Sequence, residues 1–76
     1  MFKYEDGSEV MVGDSVLLEH GRTQGTVELI VVTAEEMKAI NVEEPGIMLK
    51  SPPFGRVYLS QWSLTEDPLR FVARAL

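Results

Sequence analysis

The chain contains no cysteine and a single histidine, His20. Disulfide staples are excluded, and so are zinc sites built from Cys and His, the usual props of very small domains. The lack of cysteine suits a reducing cytoplasm, which is the expected location. Long apolar runs are missing too. The longest extends only from Leu29 to Val32, against the ~20 residues that a membrane helix needs. Acidic residues enter at Glu5 and Asp6, too early for the apolar core of a signal peptide. Cations are scarce, with 7 Lys and Arg against 12 Asp and Glu and a formal net charge of −5. Binding to a phosphate backbone needs a concentrated basic footprint. A protein partner, basic or neutral, is therefore expected in place of nucleic acid.

What the chain does have is apolar residues and closely spaced turn signals. At 76 residues, 45% of them hydrophobic, it is one domain spanning 1–76. A domain of this size buries only about 60% of the surface its unfolded chain exposes, which makes oligomerisation the available route to extra stability. Turn signals recur at Asp6-Gly7, Gly13-Asp14, Gly21 to Gly25, Pro45-Gly46, Pro52 to Gly55 and Asp67-Pro68. Short segments between such signals indicate an all-β barrel or sandwich. Phe2 to Tyr4 and Ser8 to Val12 flank Asp6-Gly7 and read as a small hairpin or a bent entry strand. Ser15 to His20, Gly25 to Val32, Ile47 to Lys50 and Arg56 to Ser60 read as the main strands. Thr33-Ala34-Glu35-Glu36 is a capping box, so residues 33–41 should form a helix of about two turns. Residues 69–76 are compatible with either strand or helix.

Alternation along the strands separates two faces. Val16 and Leu18 face the core, as do Val27, Leu29 and Val31 in this reading. Leu17, Ile30, Val32, Met48 and Tyr58 then fall on the opposite face, where an antiparallel sheet normally carries polar residues. Either a small twisted barrel partly buries both faces, or this second face is an interface, with a second copy as the expected partner.

The stretch Val12-Gly13-Asp14-Ser15-Val16-Leu17-Leu18, followed by Gly21, Gly25 and Val27, resembles the opening of SH3-like barrels, notably KOW-type and Tudor-like modules. The resemblance covers about a fifth of the chain. It implies a mainly β fold, a small SH3-like partly open antiparallel barrel, here with one short inserted helix. The basic loop of KOW-type modules is missing, since Glu19, His20 and Glu28 surround a lone Arg22. Ribonucleoprotein binding is therefore not implied.

No catalytic motif stands out, and the expectation is a non-enzymatic protein needing no metal and no cofactor. Asp14, Ser15 and His20 supply the residue types of a hydrolytic triad but lack a nucleophile elbow. His20 reads as a solvated loop histidine. The candidate binding cluster is Phe54, Arg56, Tyr58, Gln61 and Trp62, because aromatic and Arg side chains dominate binding hot spots. Trp62 and Phe54 also suit closing the two ends of the barrel core, and for Trp62 that is the preferred reading. These features point to a self-associating interaction module, of which a small acidic inhibitor or immunity-type protein for a basic partner is one form. The alternative is a small-ligand binder with a pocket near Tyr58 and Trp62.

Overall fold

The computed structural model describes residues 2–52 and 55–74. Five strands, β1 (Ser15–Leu18), β2 (Thr23–Val31), β3 (Gly46–Ser51), β4 (Gly55–Ser60) and β5 (Arg70–Ala73), form one antiparallel sheet in the order β4-β3-β2-β1-β5. Helix α1 (Ala34–Ala39) joins β2 to β3, and α2 (Gln61–Glu66) joins β4 to β5. The fold is mainly β, a small, partly open barrel whose two sheet edges are β4 and β5. The N-terminal residues add a hairpin outside the sheet, with Lys3 paired to Glu9 and the Tyr4 and Val10 amides bonded across it.

One side of the sheet carries the core. Val16, Leu18, Val27, Ile47 and Leu49 are buried there, joined by Tyr4 and Val10 from the hairpin and by Leu69 from the approach to β5. Each fully buried aliphatic side chain of this kind is worth about 1.5–3 kcal/mol. The hairpin thus acts as a lid on the core.

Helix α1 begins as its sequence demands. Thr33 caps it, accepting from the Glu36 amide at 3.1 Å, while the Glu36 carboxylate accepts from the Thr33 amide at 2.9 Å. No α1 residue is fully buried. The second helix was not anticipated. Its signals are Ser60, whose hydroxyl accepts from the Ser63 amide, and Asp67-Pro68. Asp67 ends α2 instead of starting a later helix, because Pro68 offers no amide with which to continue it. Residues 70–73 are strand, while residues 75 and 76 lie outside the described residues.

The face assignment of β2 needs correction. The β2–β3 pairing slips between Val27 and Leu29, so Glu28 is an extra, bulged residue. A bulge opposes two residues to one and so reverses the alternation beyond it. Ile30 consequently pairs with Ile47 and packs on the core, whereas Leu29 pairs with Met48 and is 43% exposed. Ile30 therefore leaves the predicted self-association set, and Leu29 enters it.

Candidate functional site

Register now defines the outer face. Leu29, Met48 and Tyr58 are direct cross-strand neighbours, forming an apolar row over β2, β3 and β4. On one side of this row lies a polar row of Thr26, Lys50 and Arg56. The bulged Glu28 accepts from Arg56 Nε at 2.8 Å. On the other side Val31 pairs with Gly46. Tyr58 reaches past Gly46, and its hydroxyl donates to the Glu44 carbonyl at 2.6 Å. Gly46 is needed there. A Cβ would collide with the Leu59 carbonyl and lie 2.8 Å from the Tyr58 ring. Burial, followed by the nearby Glu44 charge, pushes the Tyr58 phenol above its ordinary value. The outer face thus has cations Lys50 and Arg56 at one end, Glu44 at the other, with Glu43 next to it in the chain, and an apolar row between them.

A cleft of about 350 Å³ opens on the other side of the molecule, between the N-terminal hairpin and α2. Its apolar lining includes Phe2, Val10, Ile47, Leu64 and Leu69. Gln61, Leu64 and Thr65 line it from α2, as helical spacing of three and four residues allows. A second hollow of about 210 Å³ shares Tyr4, Glu5 and Leu69 with it and leads on to Phe71 of β5.

Beside the cleft sits a polar lock that sequence reasoning missed. Asp14 is fully buried. Its carboxylate accepts from the Tyr4 hydroxyl at 2.6 Å, the Met11 amide at 3.0 Å and Arg74 Nε at 3.0 Å. Burial pushes the Asp14 carboxyl up, but hydrogen bonds from Arg74, Tyr4 and Met11 outweigh it and hold the group below its ordinary value. For Tyr4, burial and then the hydrogen bond to Asp14 push the phenol well up. The Arg74 guanidinium also lies over the Phe71 ring at 5.3 Å, and that ring meets Tyr4 edge-on at 5.3 Å. The lock joins the hairpin, the turn before β1 and the end of β5. Nothing in the local sequence pairs Asp14 with a residue so far away along the chain.

The same contacts take the triad residue types apart. Asp14 is engaged with Tyr4 and Arg74, while His20 Nδ1 lies 3.4 Å from Asp67 and the His20 amide donates to the same carboxylate at 3.2 Å. Among the described residues no group of three His, Cys, Asp or Glu is placed to hold a metal ion, and no helix is long and apolar enough to cross a membrane.

The predicted binding cluster is dispersed. Arg56 and Tyr58 lie on the outer face, Gln61 lines the cleft, and Phe54 falls outside the described residues. Trp62 is 66% exposed, so it does not close the core. It follows Gln61 by one residue, which places it on the flank of α2 next to the cleft-lining stripe. Neither Tyr58 nor Trp62 lines either hollow. Of the predicted self-association residues, Met48 and Tyr58 are adjacent. Val32 follows the last β2 pair, with its amide on Glu36. Leu17 pairs with Gln24 on β2 and so lies beyond the polar row. Comparison with known protein families, curated proteins and solved structures finds no match to this chain.

Proposed function

We propose that the chain is a non-enzymatic protein-interaction module that pairs with a second copy of itself. Its acidity also suits it to a basic partner, as in a small inhibitor or immunity-type protein. The observation that carries this reading is the apolar row Leu29, Met48 and Tyr58 flanked by opposite charges. A two-fold axis in the plane of the interface and perpendicular to the strands would seat one row on the other. That operation sets Lys50 and Arg56 of one copy toward Glu43 and Glu44 of its partner. An axis along the strands would set like charges together. Antiparallel stacking is therefore the favoured arrangement. Oxidising conditions would add nothing to such a pair, since no cysteine is present, and a cytoplasmic location belongs to this reading.

Light scattering tests it directly. The wild type should be dimeric at tens of micromolar, with a mass that falls as salt rises. Leu29→Lys should give a folded monomer, because the position is already partly in water. Lys50→Glu should weaken the dimer, and Lys50→Glu combined with Glu44→Lys should restore it. A wild type that stays monomeric would refute self-association. A restoring pair that fails would refute the antiparallel arrangement.

A further inference from the structure

We infer that the cleft between the N-terminal hairpin and the α2–β5 limb accepts an extended segment of a partner protein. The segment is apolar at its α2 end and basic at the end near the hairpin tip. This rests on reading the chain as an interaction module, and it names a face separate from the outer row.

Three observations carry the inference. First, the two hollows share Tyr4, Glu5 and Leu69, so they adjoin and follow one another from Leu64 to Phe71. A groove is the shape for a strand. Second, an open sheet edge and an open hairpin edge each contribute residues to its walls. β5 is a sheet edge that pairs only with β1, and all four of its residues are exposed. On the opposite wall, the bonds from Tyr4 to Ser8 and from Val10 to Phe2 make Lys3–Glu9 the non-hydrogen-bonded pair of the hairpin. In such a pair the amide and carbonyl of Lys3 turn away from Glu9. Main-chain groups on an open edge are the recognition elements for an added strand.

Third, charge gives the groove a direction. Asp6 stands at the tip end, and Glu5 stands where the two hollows meet. Arg70 also lines this hollow, but its guanidinium lies over Gly21, where a Cβ would be 3.1 Å from it. At the other end the lining is Ile47, Leu64 and Val10, with Lys3 as the charged neighbour. An apolar residue therefore fits beside α2, and a Lys or Arg fits beside Glu5. The formal net charge of −5 attracts the same kind of segment at longer range.

The test is an NMR titration of the intact chain with three end-blocked peptides of alternating Val and Leu. One ends in two arginines, one ends in two glutamates, and one is the arginine peptide with alternate amides N-methylated. The arginine peptide should shift the amides of Lys3, Glu5 and Arg70 to Ala73, and it should bind at least about tenfold tighter than the glutamate peptide. N-methylation should abolish binding, because it removes the ladder donors. Leu64→Arg should block the apolar end. As that variant risks misfolding, Glu5→Lys provides a second arm: the site is exposed, and the charge preference of the peptides should reverse. Failure of the arginine peptide to shift these amides, or equal binding after N-methylation, would overturn the groove. A dimer that persists in that case would leave the self-associating module standing. Loss of both would remove the underlying reading as well.

Discussion

Removing the Asp14 carboxylate should be among the most damaging single polar changes in the chain. In Asp14→Ala the Tyr4 hydroxyl and the Met11 amide lose their acceptor, and Arg74 loses its ion pair. A buried donor left unsatisfied costs about 1–3 kcal/mol. The Arg74 contribution is smaller, because its side chain is 45% exposed and solvent screens such pairs to about 0–1 kcal/mol. The expected loss is therefore about 3 kcal/mol. A chain of this length has about 4–11 kcal/mol in total, so the variant should retain a much-reduced folded population. Arg74→Met leaves the buried Asp14 carboxylate without its cation and should also cost about 3 kcal/mol. Urea melts followed by circular dichroism measure both variants. The sign of the pH dependence follows from the lowered Asp14 value. Its contribution is complete above the unfolded aspartate value of about 3.9 and fades as pH falls through the lower folded value. The gap between wild type and Asp14→Ala should thus be full at neutral pH and narrow in acid. A loss below about 1 kcal/mol, or a gap that widens in acid, would refute the lock.

Two further substitutions test the geometry of the outer face. Gly46→Ala should destabilise by about 3 kcal/mol or more in thermal melts, because a methyl has to displace the Leu59 carbonyl or the Tyr58 ring. Ile30→Lys should unfold the chain while Leu29→Lys leaves it folded, a contrast that circular dichroism reads and that reverses if Glu28 is not bulged.

The strands and the first helix were legible because their signals are local. Alternation, turn residues and the Thr33–Glu36 box each act within a few residues, and β1 to β4 and α1 appear where they place them. The bulge at Glu28 was not legible. Nothing in Val27-Glu28-Leu29-Ile30 distinguishes a continuous strand from one that slips, and the choice is made by pairing with β3, where Leu49, Met48 and Ile47 take Val27, Leu29 and Ile30. One inserted residue was enough to exchange an interface candidate for a core residue. Helix α2 was hidden for a different reason. Its six residues carry no apolar period long enough to stand out from a loop, and its cap, Ser60, reads equally well as the end of β4. Of the candidate cluster, Arg56 and Tyr58 lie on the outer face while Gln61 lines the cleft, a separation made by the turn from β4 into α2 that proximity along the chain does not reveal.

The two proposed faces are built from separate parts of the chain, and this bears on how they act together. The outer row belongs to β2, β3 and β4, while the groove belongs to the hairpin, α2 and β5, with only Ile47 of β3 reaching it from the core side. The core residues Ile47 and Leu49 lie between them. Substitutions on the two faces share no partner and should combine additively, so a dimer can present two grooves without either face obstructing the other. The Asp14 lock is different, because Tyr4 serves both the lock and the groove wall. Its ring also packs against Phe71 at the open edge. A hairpin released from Asp14 keeps the core packing of Tyr4, Val10 and the partly buried Phe2, and the bond from Arg74 to the Glu9 carbonyl at 3.0 Å. The groove is thus rigid to the extent that a buried carboxylate is kept charged, and the outer face carries no such dependence.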